Sequence, residues 1–156
     1  MPRYGPPDAF ETPRFSGPRT FMRLPHVRDL DGVDVAVVGI PTDGAVVYRS
    51  GARFGPEGIR SASVLLRNYN PLLGVDVAGK LSLVDYGDVP TVPGSTADSL
   101  ERSASALEEI ARAGVATLPS VPEATPSGYG TAWARAPVSF LSISTSSTPR
   151  LLRPPI

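Results

Sequence analysis

Between Val33 and Pro119, apolar β-branched runs alternate with stretches of helical spacing, and this order restricts the fold more than any other feature of the chain. The first run, "VDVAVVGI" from Val33 to Ile40, is closed by Gly39 and Pro41 and reads as a buried strand. A helix is predicted to follow. Pro56 suits a first helical turn, where an N–H would have no partner, and Glu57 supplies the negative charge favoured there. Ile59, Ala62, Ser63, Leu66 and Tyr69 fall three or four apart and predict one face that packs on a sheet, ended by Asn70 and Pro71. "KLSLVDYGDV" reads as a second strand running into a turn at Gly87. In "PGSTADSLERSASALEEIARAG", Leu100, Ala104, Leu107, Ile110 and Ala111 again stand at helical spacing. Ser95 and Asp98 suit the start of that helix, and Gly114 suits a left-handed end. "VATLP", Val115 to Pro119, reads as a third strand. Strand, helix, strand, helix, strand predicts an α/β domain of parallel strands joined by crossover helices.

The remaining sequence bounds what such a domain serves. A chain of 156 residues holds one domain with a modest core. Fifteen Lys and Arg balance fifteen Asp and Glu, so the charge favours neither nucleic acid nor an anionic membrane as partner. With no cysteine, disulfides and thiolate metal sites are excluded, which agrees with a cytoplasmic setting. The N-terminal stretch "MPRYGPPDAFETPRFSGPRTF" has no continuous apolar segment, so neither a secretory signal nor a membrane anchor is expected. The chain divides into an irregular Pro-rich arm over 1–30, an α/β domain over 31–119 and a low-order tail over 120–156. The arm is expected either to be held by Phe10, Phe15 and Phe21 or to be disordered, and arms of this kind often pack on a partner subunit.

In parallel sheets ligands bind beyond the carboxyl ends of the strands, which directs attention to the loops after Ile40, Asp85 and Leu118. The first contains "RSGARFGPEGIR", Arg49 to Arg60, where Arg53 stands just before a helix N-terminus. Read from its residues alone, it is a long structured turn whose arginine pairs with a local carboxylate. It lacks the spacing of either phosphate-cradling glycine motif.

Taken in order, "DVAVVGIPTDG", "YRSGARFGPEGIR", "LLRNYNP" and "VDYGDVPTVPG" resemble the N-terminal part of the agmatinase branch of the ureohydrolase family, which includes arginase. The resemblance runs from about Asp31 to Leu118. It implies an incomplete parallel three-layer α/β/α sheet. It also implies hydrolysis of a small guanidino compound such as agmatine to putrescine and urea, by two manganese ions that share an activated water, in a protein that forms homo-oligomers. The family loop near the expected active site corresponds to Asp43, Gly44, Arg53, Gly55 and Pro56.

The family draws its metal ligands from three motifs, Gly-Gly-Asp-His, Asp-Ala-His-x-Asp and Ser-x-Asp-x-Asp-x-x-Asp-Pro, and none occurs in this sequence. After "GVATLP" the chain contains one acidic residue, Glu123, and no histidine. A pair of hard cations needs a dense set of carboxylates and imidazoles, so no catalytic or metal-ligating residue is expected in this chain, and manganese is not expected to bind it. The sole histidine, His26, reads as a surface imidazole. Asp85 and Asp88 are the best remaining carboxylate pair and read as turn caps.

The tail, rich in Ser, Pro, Thr and Arg, reads like a GC-rich coding region translated out of frame. If the codons before Ile143, Thr145 and Thr148 end in G, Phe140 ends in T and Thr148 ends in C, an offset of one base restores Ser-x-Asp-x-Asp-x-x-Asp-Pro around Ser142 to Pro149, and the same offset applied to Pro122 to Thr125 can give Gly-Gly-Asp. The two would stand closer together than the family places them, which implies a deletion as well. "APVSFLSI", Ala136 to Ile143, is the one apolar segment there that suits an edge strand. Two expectations of different class follow: a truncated hydrolase relative without turnover, or a non-catalytic α/β module that binds an intact ureohydrolase subunit or another partner.

Overall fold

The computed structural model describes residues 2–48 and 50–120. The expectations for Glu123, for the Ala136–Ile143 strand and for the tail's reading frame lie outside the described residues. Three parallel strands form the central sheet: β1 (Val35–Gly39), β4 (Leu83–Asp88) and β5 (Ala116–Ser120), in the order β4-β1-β5. Val35 stands opposite both Leu83 and Ala116. Helix α1 (Gly55–Ser63) connects β1 to a small antiparallel hairpin of β2 (Tyr69–Asn70) and β3 (Val75–Asp76), and α2 (Thr96–Arg112) connects β4 to β5.

The alternation of side chains along β1 sorts the layers. Ala36, Val38 and Ile40 join Val84 and Tyr86 in a core closed by Leu107 and Ile110 of α2. Val37 and Leu83 point the other way and pack with Leu24 of the N-terminal arm. Helix α1 lies on that second side: a Cβ added to Gly39 would overlap the Asp88 carboxylate and come within 3.0 Å of Pro56 Cβ. Only glycine lets the helix start and the neighbouring strand end approach so closely. Helix, sheet, helix is the three-layer order expected from sequence.

Helix α2 matches its expected ends. Ser95 caps it by accepting the Asp98 N–H at 3.3 Å, and Gly114 closes it at φ +74°. Its buried face is richer in small residues than the periodicity of the apolar positions predicts, with Ser99 and Ser103 buried beside Leu107 and Ile110. Small side chains bring the helix close to the sheet, and the hydroxyls are satisfied internally: Ser103 donates to the Ser99 carbonyl at 2.7 Å and Ser99 accepts the Val92 N–H at 2.9 Å.

Two expectations are corrected. Helix α1 ends at Ser63 rather than at Asn70, and Ile59, Leu66 and Tyr69 are exposed. Its buried residues are Pro56 and Ser63. The apolar spacing continued past the real end because the chain turns away at Val64, where Arg14 donates to the carbonyls of Val64 and Leu66 at 3.1 and 2.8 Å and satisfies the helix terminus. Tyr69 belongs to the hairpin.

The second correction concerns the arm. Phe10 and Phe15 are 100% and 81% exposed and do not anchor it, whereas Phe21 packs partly buried against the cluster of Leu24, Val37 and Leu83. Backbone pairing holds the rest. Leu83 N–H donates to Tyr4 O, Asp85 N–H to Pro25 O and Val27 N–H to Asp85 O, at 3.0 to 3.2 Å. The arm therefore lies along the outer edge of β4 in its own chain, where it covers groups that an open edge strand would leave unpaired. On the opposite edge, the bonds from Ala116 N–H to Asp34 O and from Ile40 N–H to Ser120 O turn Thr117 and Pro119 outward. Pro119 brings no N–H to that edge.

Candidate functional site

Helices α1 and α2 leave β1 and β4 toward opposite faces of the sheet, so the loops after these adjacent strands part and leave a crevice between them. In open parallel sheets this is where ligands bind. The crevice is a cavity of about 50 Å³, walled by Pro41 to Gly44 and Arg53 on the β1 side and by Thr91 to Thr96 on the β4 side. Thr91 Oγ1 donates to Pro41 O at 3.0 Å and stitches the two loops together.

All five expected loop residues meet here or at the adjoining helix start. The Asp43 side chain is buried to 1% exposure, and its Oδ1 accepts Arg53 Nε at 2.7 Å. Its Oδ2 accepts the Gly51 N–H at 2.8 Å, with Gly51 at φ +131°, a conformation open to glycine. Gly44 has Thr96 against it: an added Cβ would stand 2.8 Å from Thr96 Oγ1. Gly55 opens α1 and Pro56 lies buried in its first turn. The hydrogen bond from Arg53, reinforced by Gly51 N–H, holds the Asp43 carboxyl below the usual carboxylate range, and Asp43 raises the Arg53 guanidinium in turn. A carboxylate so engaged serves as a clasp on the loop rather than as a general base. The reading of Arg53 as the partner of a local carboxylate thus holds.

The second carboxylate pair has a different role from the turn caps expected. Asp85, in the middle of β4, is buried and accepts Arg60 Nε at 2.7 Å and Arg60 Nη2 at 2.9 Å. Its Oδ2 also accepts the Phe21 N–H of the arm at 2.8 Å, and its Oδ1 accepts the Gly87 N–H at 2.9 Å. Only this last bond is turn-like. Arg60 Nη1 reaches Asp88 Oδ1 at 2.6 Å. Burial pushes the Asp85 carboxyl up, but the Arg60 guanidinium and the two N–H groups outweigh it and the net shift is downward. Arg60 was missed in the sequence. Its signal was the spacing Pro56, Arg60, Ser63, which places it on the buried stripe of α1. His26 is exposed, as expected, with Nδ1 3.0 Å from Asp85 O.

Among the described residues no group of three His, Cys, Asp or Glu side chains is placed to hold a metal ion. The chemistry of the donors explains this: Asp43 is engaged by Arg53, and Asp85 and Asp88 by Arg60. These residues do not fit a two-manganese centre. No helix among them is long and apolar enough to cross a membrane.

Comparison with known proteins places the domain. A guanidinobutyrase of Pseudomonas aeruginosa is 49% identical over 82 residues, 51% of this chain and 26% of its own length. An agmatinase of Chromobacterium violaceum is 53% identical over 75 residues, 47% of this chain and 23% of its own. The crystal structure of a hypothetical agmatinase from Burkholderia thailandensis superposes with a TM-score of 0.63 at 37% identity, covering 68% of this chain and 34% of that one. The chain thus spans about a quarter of the length of these curated relatives and a third of the solved one. The family model for arginase matches residues 33–119, from just before β1 to Pro119 within β5. The chain belongs to the arginase family.

Proposed function

We propose that the described domain is the loop-bearing N-terminal half-sheet of a guanidino-compound hydrolase of the agmatinase and guanidinobutyrase type, and that the 156 residues on their own do not turn over. The reaction class is cleavage of a guanidino C–N bond, which releases urea and an amine, putrescine in the case of agmatine. The observation that carries this reading is the crevice between β1 and β4, whose Asp43–Arg53 clasp lies inside the stretch matched to the arginase family. Its contribution is positional. Asp43 fixes the β1–α1 loop through Gly51 and Arg53, and Gly44 lets the start of α2 close on it. Activation of water by paired manganese is the chemistry of the family, and the three ligand motifs it uses are absent from the sequence.

Metal content and urea release, measured on the purified chain with agmatine and 4-guanidinobutyrate, test the proposal together. The expected result is sub-stoichiometric manganese and no urea above the metal-only blank. Two bound manganese ions with turnover would overturn the inactivity. The base sequence of the gene tests the origin of the tail: codons before Ile143, Thr145 and Thr148 that do not end in G sink the frameshift.

A further inference from the structure

On the α2 side of the sheet, where the arm passes the end of β4, the described residues line a second cavity of about 570 Å³, a volume that suits a small ligand. It shares no lining residue with the crevice. Tyr86, 5% exposed, lines it together with Arg28 of the arm and Asp88 at the end of β4. The facing wall is one stripe of α2, where Asp98, Arg102, Ser105 and Glu109 follow at helical spacing with Glu101 beside them.

A guanidinium already lies in this cavity. Arg28 Cζ stands 5.1 Å from the centre of the Tyr86 ring, and Arg28 Nη2 donates to Asp88 O at 3.2 Å. The arginine is exposed, so a cation–π contact in solvent and one bond to a neutral carbonyl hold it weakly. Tyr86 is set more firmly: its hydroxyl donates to Glu109 Oε1 at 3.2 Å. Burial, and then the Glu109 carboxylate, push that hydroxyl up, and Arg28 opposes them only in part. The other charges on the walls divide unevenly. Arg60 engages Asp88 at 2.6 Å, and Arg102 turns to Pro90 O at 3.1 Å. The carboxylates of Asp98 and Glu101 have no hydrogen-bond or ion-pair partner among the described residues.

We propose that this cavity is a binding site for a monosubstituted guanidinium, which stacks on Tyr86 in the place that the Arg28 guanidinium takes and meets the open carboxylates of α2. An anion entering there would face Asp98, Glu101 and Glu109, whereas exchanging Arg28 for another single positive charge leaves the balance of the walls as it was. A planar, delocalised and weakly hydrated cation suits an aromatic face better than a compact ammonium does. Arg28 then acts as a tethered competitor. The bond from Val27 N–H to Asp85 O, 3.2 Å, pins the backbone beside it and keeps its guanidinium at high local concentration over the ring. Free ligand therefore binds in proportion to the fraction of molecules in which Arg28 has swung away. The site stands apart from the proposed hydrolysis, and its occupancy needs no turnover.

Titration of the full ¹⁵N-labelled chain with n-butylguanidinium, followed by NMR, tests the proposal, with n-butylammonium as the comparison cation. Saturable shifts are expected at the amides of Val89, Ser105 and Ala106, with the ligand's own protons moved upfield by the Tyr86 ring. Arg28→Ala should tighten binding about threefold or more by removing the competitor. In that background, Asp98→Asn with Glu101→Gln should weaken it by about the same factor, and butylammonium should bind more weakly than butylguanidinium. All three substituted positions are exposed, so the fold should survive, and unmoved amide signals from β1 check it. Arg53→Ala, at the crevice, should leave the affinity unchanged. Absence of saturable shifts in Arg28→Ala, shifts centred on Thr42 to Gly44 or lost with Arg53→Ala, equal binding of the ammonium, or indifference to the α2 carboxylates would each overturn the proposal. Because the readout is binding, none of these outcomes bears on the hydrolysis reading.

Discussion

Two aspartate–arginine pairs organise this domain, and they differ in the exposure of the arginine and in how far along the chain their partners lie. Asp85 and Asp43 each have a side chain 1% exposed, but Arg60 is 12% exposed and Arg53 is 52% exposed. Asp85 gathers groups that lie 64 residues away on the arm and 25 residues away on α1. Asp43 gathers groups 10 and 8 residues away within one loop. The first is therefore a tertiary hub and the second a local clasp. What decides the difference is the reach of the partners and their access to water. A guanidinium taken from water leaves a large penalty behind if its carboxylate is removed, whereas a half-solvated one returns to solvent at little cost.

The largest effect expected from this contrast is at the hub. Asp85→Ala strands Arg60 beside the half-exposed Asp88 and deprives the Phe21 and Gly87 N–H groups of their acceptor, so it should destabilise the domain by about 3–5 kcal/mol. Urea denaturation measures this. The arm should loosen at the same time, with faster amide exchange at Leu83 and Asp85, whose N–H groups it covers. A loss below ~1 kcal/mol would place Asp85 with the surface pairs.

A somewhat smaller effect, and a sharper one, is the dependence on acid. The folded carboxyl of Asp85 lies below its ordinary value, so its stabilising contribution is complete above the normal carboxylate range near pH ~4. The contribution fades as pH falls through the depressed folded value. Asp85→Asn removes the charge with little change of shape. The stability gap between wild type and this variant should narrow steadily in acid, and a gap that stayed constant from neutral pH downward would assign the effect to lost packing instead.

The same contrast marks how far the sequence could be read. Strand positions followed from the β-branched runs, because Ala36, Val38 and Val84 are buried whatever lies beyond them. The ends of α2 followed from Ser95 and Gly114, which act over a few residues. The clasp was legible for the same reason: Asp43, Gly51 and Arg53 form a short-range arrangement inside a recognisable motif. The hub was not. Asp85, Arg60 and Phe21 meet only after the arm has folded along β4, and no periodicity within one segment carries that information. The end of α1 was misplaced for a related reason, since Arg14 terminates the helix from some fifty residues earlier in the chain.

The smallest expected effect lies at the clasp, and it separates the two pairs most cleanly. Arg53→Ala removes a half-exposed guanidinium, leaves Asp43 the Gly51 N–H, and uncovers to water a carboxylate that lines the crevice beside it. The midpoint of global unfolding should therefore stay close to wild type. Locally the outcome should differ. Without Arg53 the Asp43 carboxylate holds the turn only through the Gly51 N–H, so the turn from Gly44 to Gly51 should open more often and be cut faster by a protease under native conditions, while cleavage in the arm stays slow. Asp43→Ala should open the same turn further, because it releases Gly51 as well. If Arg53→Ala lowered global stability as much as Asp85→Ala, or left cleavage of the turn unchanged, the division into hub and clasp would fail, and solvent access to the arginine would not be what separates them.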